Sequence, residues 1–283
     1  MASLKEIKTR IGSVSSTLKI TSAMKMVSSA KLRKAQAAIG GMSEYQRSLA
    51  GMLRDVSVSG LVPSPLSQER PAVRVALLCI SSNSSLCGAF NTNVIRQARQ
   101  AIDRWRAEGA EVDIYTVGRK VTDALGKAGY AIKGDYSYLA SRPSYGEASR
   151  LGNHFIDSFL SGVYDRIEIV HSHFVSAASQ PVTVETYLPL KPLDGDSPSD
   201  TDWITEPDRD SLIAQLIPKV MLLKMFTVLL DSSAAEHAAR TLAMQIATDN
   251  ANSLLVNLTL EYNKGRQQKI TSEILDLVGG MQE

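Results

Sequence analysis

Aromatic residues are scarce: Phe, Trp and Tyr together make up 6% of the 283 residues. Aromatic side chains are the large anchors of compact cores, so a chain this poor in them suits long helices with thin cores better than one big globule. Cysteine is nearly missing as well. The two present, Cys79 and Cys87, exclude a disulfide-built scaffold and fit a reducing compartment; both lie near an expected buried strand, where structural thiols are the simpler reading. Net charge is only +2, which argues against a general nucleic-acid binder. No uninterrupted apolar run reaches the roughly 18 residues of a membrane span, and MASLKEIKTR lacks a signal peptide's apolar stretch. The expectation is a soluble or membrane-peripheral protein. There is no G-x-S-x-G, no HExxH and no glycine-rich GK[ST] loop, so no independent catalytic centre is expected.

What is present sits at the two ends. Residues 3–57 and 208–280 each read as one very long helix, against a mean of about 11–12 residues in globular proteins. At about 1.5 Å per residue, a helix of some 50 residues reaches roughly 75 Å. In the first, alternating steps of three and four give Leu4, Ile7, Ile11, Val14, Leu18, Thr21, Lys25, Ser28, Leu32, Ala35, Ile39 and Met42, nine of the twelve apolar. That is coiled-coil spacing. The pattern fails at Thr21, Lys25 and Ser28, where apolar residues move to Met24, Met26 and Val27; either the register stutters or the rod faces something other than its mate. The same helix is basic: ten Lys and Arg against Glu6 and Glu44 in the first 54 residues, which suits an acidic partner surface. In the last helix Pro218 either starts or kinks the rod. Ala235, Ala239, Ala243, Ala247 and Ala251 recur every four residues, a path along which another helix could pack closely.

Between the rods the pattern is strand and helix in alternation: RVALLCI (Arg74–Ile80) as a central parallel strand, a helix over 91–108, a strand over 112–117, a short helix ending near 128, a helix over 144–161, and strands over 166–174 and 182–190. This order predicts an α/β, Rossmann-like body with right-handed crossovers. Residues 191–207 read as a loop. The segment organisation is therefore an N-terminal coiled-coil helix over 1–60, an α/β domain over 72–207 and a C-terminal coiled-coil helix over 208–283. Two candidate sites are set aside. SSNSSLCGAFN (81–91) follows a strand and precedes a helix, where open sheets bind ligands, but it has one glycine, Gly88; Asn91 is expected to cap the helix. His171 and His173 share a strand face and could bind metal, yet no third ligand is evident at typical spacing.

KITSAMKMVSSAKLRKAQ (19–36), HAARTLAMQIATDNANSLLVNLTLEYNKGRQQKITSEILDLVGG (237–280), LCGAFN (86–91) and WITEPD (203–208) closely resemble the gamma subunit family of the F-type rotary ATP synthase. The resemblance covers essentially the whole chain, in order. It implies a central stalk: terminal helices paired as an antiparallel, left-handed coiled coil inside a ring of alpha and beta subunits, and a body that sits on the membrane rotor ring and carries the epsilon subunit. Proton flow turns such a shaft, which drives the beta sites through their nucleotide affinities. No cofactor, no catalytic residue and no nucleotide binding by this chain are implied, and the place implied is the cytoplasmic face of a bacterial inner membrane. Carried over residue by residue, Arg266 and Gln267 match positions that engage a beta-subunit catch loop, with Thr271 and Glu273 beside them. Met24, Lys25 and Arg240 match the zone at the acidic lever loop of beta, and Ile274, Leu275, Leu277 and Val278 match an apolar tip. Glu206 matches a foot position near the ring. Ser84 and Ser85 stand where the family commonly has a charged residue and glycine, and Thr205 where an aromatic is frequent. Two other readings are an enzyme on the α/β body with helices serving oligomerisation, and a static coiled-coil scaffold.

Overall fold

The computed structural model describes residues 3–56, 64–191, 206 and 208–279. Helix α1 (Leu4–Val56) leads into a five-stranded sheet with its helices, and α6 (Arg209–Gly279) closes the chain. Between them stand β1 (Arg74–Ile80), α2 (Phe90–Ala107), β2 (Glu111–Val117), α3 (Arg119–Lys127), β3 (Ile132–Asp135), α4 (Tyr138–Ser141), α5 (Tyr145–Leu160), β4 (Arg166–Ser172) and β5 (Val182–Leu188). The sheet order is β3-β2-β1-β4-β5. All pairings are parallel except β4 with β5, so RVALLCI is the central strand, as its near-continuous apolar run implies.

Alternation along β1 builds two cores. Leu77 and Cys79 face α2 and α3, packing with Val94, Ala98, Ile102, Val121 and Leu125. Ala76, Leu78 and Ile80 face the other way, into a larger core made by α5 and by the ends of both long helices: Leu49 and Leu53 of α1, and Ile213, Ile217, Met221, Met225 and Leu229 of α6. The shaft is thus rooted in the body, and the third layer of the sandwich is partly the shaft itself. Gly152 of α5 permits this approach: a Cβ there would stand 2.7 Å from Leu222 Cδ2 and 3.2 Å from the Tyr187 hydroxyl, which donates to Met221 O at 2.9 Å. Helix ends follow local chemistry. Ser144 caps α5, accepting from the Glu147 N–H, and Asp208 accepts from Ser211 N–H at 2.8 Å at the start of α6.

Several expectations change. Of the two readings of Pro218, a start of the helix falls: α6 begins at Arg209 and carries Pro218 inside it. Asn91 is not the cap of α2. The cap is Ala89, and Asn91 reaches back instead, its Oδ1 accepting from the Ser82 N–H at 3.1 Å. The strands read over 166–174 and 182–190 end at Ser172 and Leu188. Strand β3 and the short α4 were not expected. By length and composition one stretch of α6 could cross a membrane, although two lysines, Lys219 and Lys224, interrupt its apolar run; half of that stretch is buried inside the protein. The loop read over 191–207 lies outside the described residues except for Lys191 and Glu206.

Candidate partner-binding shaft

The two long helices run antiparallel. Lys25 Nζ donates to Gln245 Oε1 at 2.7 Å. The Thr21 and Thr248 hydroxyls are 2.9 Å apart, and a Cβ on Gly265 would stand 3.0 Å from Leu4 Cδ2. As the α1 number falls, the α6 number rises. Every position of the three-four series from Leu4 to Met42 is buried or half-buried, Thr21, Lys25 and Ser28 included. There is no stutter. Thr21 and Ser28 are 8% and 3% exposed because small hydroxyls can sit in a close helix–helix seam when hydrogen-bonded. The unbroken seven-residue repeat favours a left-handed supercoil.

The displaced apolar residues then acquire a meaning. Met26 and Val27 are 62% and 57% exposed and point away from α6. Of the sequence-predicted contact residues in this zone, Met24 is half-buried and Lys25 is tied to Gln245. Arg240 is placed differently from what the sequence suggested. It is 8% exposed, and its guanidinium is taken up inside the chain: Nη1 pairs with Glu236, and Nη2 donates to Ser84 Oγ at 2.9 Å. Ser84, at the point of departure from the family pattern, thus anchors the 81–91 turn to α6. Burial raises the Glu236 carboxyl pKa while Arg240 pulls it back, leaving it above the usual carboxylate value. Beside it, His237 is held down to about 4, by burial first and then by the positive charges of Arg240 and Lys31.

Part of the alanine series lines a collar where the 81–91 turn meets α6. Ala235 and Ala239 pack on Cys87, Phe90 and Phe174. A Cβ on Gly88 would meet Ala243 Cβ at 4.0 Å. The turn opposite is tight, with Leu86 at φ 66° and Gly88 at φ 59°. Both cysteines are buried and free, as expected of structural thiols; burial pushes the Cys79 thiol up to about 12, out of reach of thiolate chemistry.

Past Gly265, where the start of α1 covers it, α6 continues alone. Every described side chain from Arg266 to Leu275 is exposed. This brings Arg266, Gln267, Thr271 and Glu273 together on one free helix end, with Ile270, Ile274 and Leu275 at 47%, 54% and 65% exposure. The Thr271 hydroxyl donates to Gln267 O at 2.9 Å, and Lys269 stands 3.7 Å from Glu273. The side chains of Leu277 and Val278 lie outside the described residues. Glu206 is exposed. Glu236, Gln245 and Thr248 were missed by sequence reasoning, and Thr21, Ser28 and Ser84 stood out only as breaks in a pattern; the Glu236–Arg240 spacing of four carried a signal beforehand.

A long antiparallel two-helix shaft, rooted in a Rossmann-like body, with α6 running on past the start of α1, defines the class: a shaft-and-body protein. A family model described as ATP synthase matches residues 3–282. The chain is 51% identical over 286 residues to the ATP synthase gamma chain of Phocaeicola vulgatus, covering 99% of each, and 52% identical over 287 residues to that of Bacteroides fragilis strain YCH46, again 99% of each. Against the gamma chain of Flavobacterium johnsoniae identity is 43% over 283 residues. The chain therefore belongs to the ATP synthase gamma-chain family. Its fold is shared with the rotor of the Euglena gracilis mitochondrial ATP synthase in rotational state 1, with a TM-score of 0.68 at 19% identity over 94% of this chain and 98% of that one. It is shared also with the central stalk and c-ring assembly of Tetrahymena thermophila, with a TM-score of 0.57 at 19% identity over 81% and 99%.

Proposed function

We propose that this chain is the turning shaft of an F-type ATP synthase, at the cytoplasmic face of a bacterial inner membrane. Alpha and beta subunits surround its paired helices, and epsilon and the membrane rotor ring bind its body. The reading divides the chain as 1–60 and 208–283 for the shaft and 72–207 for the body. It gives the chain no catalytic residue and no cofactor; catalysis belongs to the beta subunits, and the shaft biases their nucleotide affinities and, through them, ATP hydrolysis and proton flow.

The observation that carries this is the free end of α6. A soluble protein that exposes Ile270, Ile274 and Leu275 beside Arg266 on one unpaired helix is offering them to another molecule. The chemistry fits a rotor that must grip without sticking. Arg266 presents five donors in a rigid fork, and charge-assisted hydrogen bonds are roughly twice as strong as neutral ones while staying local. An apolar tip in an apolar sleeve lacks directional bonds, so it turns freely. Coupling is differential: a given shaft angle favours one beta conformation, and reciprocity makes nucleotide state bias the angle. The α1 cations, exposed at Lys5, Lys8, Arg10, Lys31, Arg33 and Lys34, suit an acidic partner surface, and Met24, Lys25 and Arg240 are assigned to the zone at the acidic lever loop.

The test is coupled ATP synthesis by the assembled complex carrying Arg266→Ala and Gln267→Ala. Synthesis falls while assembly and the fold of the chain are kept. Unchanged synthesis in fully assembled enzyme overturns the catch assignment, and a bead on the body that fails to rotate during ATP hydrolysis overturns the rotor reading.

A further inference from the structure

Open α/β sheets bind ligands in the crevice beyond the strand ends, at the point where neighbouring crossovers part to opposite faces. In this sheet that point lies between β1 and β4, which pair in parallel. Helix α2, after β1, packs on one face, and α5, before β4, packs on the other. The 81–91 turn leaves β1 there, and the turn from His173 to Pro181 leaves β4. Both turns close on α6, which fills the space between them. We infer that the crevice has become a socket that fixes the angle of the shaft on the body, with Asp231 and Arg240 as its positioning residues and Ser84 as the contact that holds Arg240. This role rests on the rotor reading, since a body that is turned must carry its shaft round without slip.

The helix geometry shows how far round the socket reaches. At about 100° per residue, Asp231 and Arg240 stand on opposite sides of α6. Ala235, Ala239 and Ala243 lie on the arc between them, about 40°, 80° and 120° from Asp231. The two turns cover that arc. At one edge Asp231 Oδ1 accepts the Phe174 N–H at 3.0 Å, and Oδ2 lies 2.6 Å from His173 Nδ1. Along the middle, Ala235 and Ala239 pack on Phe174, Cys87 and Phe90, and a Cβ on Gly88 would meet Ala243 Cβ at 4.0 Å. At the far edge Arg240 Nη2 donates to Ser84 Oγ at 2.9 Å. Helix α1 takes the complementary arc: Thr248 and Gln245, about 260° and 320° round from Asp231, bond to Thr21 and Lys25.

The alanine path lets the turns come close, but apolar contact has no direction and alone would let the helix turn in its seat. The two anchors supply the direction. Arg240 is 8% exposed, and its rigid fork is spread between Glu236 on α6 and Ser84 on the turn. Asp231 engages two consecutive residues of the other turn, one of them by a charge-assisted bond to a backbone N–H, a kind about twice as strong as a neutral one. Each turn is braced in itself. Asn91 Oδ1 accepts from Ser82 Oγ at 2.9 Å and from the Ser82 N–H at 3.1 Å, and the His173 N–H donates to Pro181 O at 2.8 Å. Between the end of β1 and α6 the void is about 10 Å³, barely room for one water, so little slack is left.

The test uses the full chain with spin labels at Gln100→Cys on the body and Leu254→Cys on the shaft, both exposed sites; the native cysteines are buried. Pulsed dipolar spectroscopy reads the spread of the distance between the labels. The otherwise wild-type chain gives one narrow distribution. Ser84→Ala combined with Asp231→Ala loses it for a broad one, while Ser84→Thr, which keeps the hydroxyl, does not. Leu125→Ala, in the core on the other face of the sheet, weakens the fold without touching α6, and its distribution stays narrow. A folded double variant as narrow as the wild type overturns the socket, and so does a Leu125→Ala chain as broad as the double variant. In the assembled complex the double variant widens the angular scatter of a bead on the body during pauses in rotation; equal scatter overturns the part played in rotation. The rotor reading is judged apart: a bead on the wild-type complex that never turns sinks that reading, whatever the label distances in the isolated chain.

Discussion

The two ends of α6 carry similar side chains in opposite surroundings. Near its start, Ile213, Ile217, Met221, Met225 and Leu229 are at most 3% exposed, sealed into the body's core; near its finish Ile270, Ile274 and Leu275 are 47–65% exposed. One helix, with no proline between Lys219 and Gly279, therefore passes from an interior it shares with its own sheet to an exterior that no described residue covers. The root is stabilised by burial within this chain, whereas the tip has no such support among the described residues. A substitution at the root should be felt in the isolated chain, one at the tip only in the complex.

The sharpest contrast comes from the root. Leu53 is fully buried where α1 enters the core beside α6. Leu53→Ala removes that contact and leaves a cavity, costing about 2–5 kcal/mol. Urea unfolding of the purified chain measures it. A cost under about 1 kcal/mol, the range of a tolerated volume-conserving swap, would show that the root is loosely seated and the comparison false.

Between root and tip lies the collar, where the contrast can be read through pH. His237 is held at about 4 in the folded chain, by burial and then by Arg240 and Lys31, against an ordinary value of about 6.5. The unfolded chain takes up this proton below about 6.5, and the folded chain resists until about 4, so protonation favours unfolding across that window. The contribution is complete above the unfolded value and is lost as pH falls. His237→Gln should flatten this part of the slope: its urea midpoint drops less between pH 7 and pH 5 than the wild-type midpoint does. Identical drops would mean that the collar titrates as freely as the exposed shaft.

The same comparison shows what the sequence could disclose. The heptad spacing announced two paired rods, and RVALLCI announced a central strand, because burial on one face leaves a periodic trace. The shaft's supposed break at 21–28 was misread for a physical reason. Counting apolar residues registers Thr21 and Ser28 as failures, while the bond that makes Thr21 welcome in the seam comes from Thr248, more than two hundred residues away. Arg240 misled in the opposite sense. A cation on a long helix reads as surface, and nothing local tells that Glu236 and the 81–91 turn enclose it. Strand β3 has four residues, with Lys133 and Gly134 in the middle, too short and too polar to leave a period. Asp231 could not be joined to His171 and His173 by spacing, since only the packing of α6 on the sheet brings them together.

The smallest effect on stability is expected at the tip, and there the comparison is tested hardest. Ile270→Ala, Ile274→Ala and Leu275→Ala remove most of the exposed apolar surface of the described free end. Alanine is the best helix former, so the helix itself is not weakened, and exposed side chains away from special features change stability by about ±0.5 kcal/mol or less. The urea midpoint of the isolated chain should therefore stay where it is. In the assembled complex the same triple variant should lower coupled ATP synthesis, because the sleeve loses the surface it encloses. A drop in the midpoint of the isolated chain would show that the tip leans on its own chain after all. An unchanged midpoint together with unchanged synthesis would show that the partner's grip lies elsewhere, at Arg266 and Gln267 or along the outward face that Met26 and Val27 present.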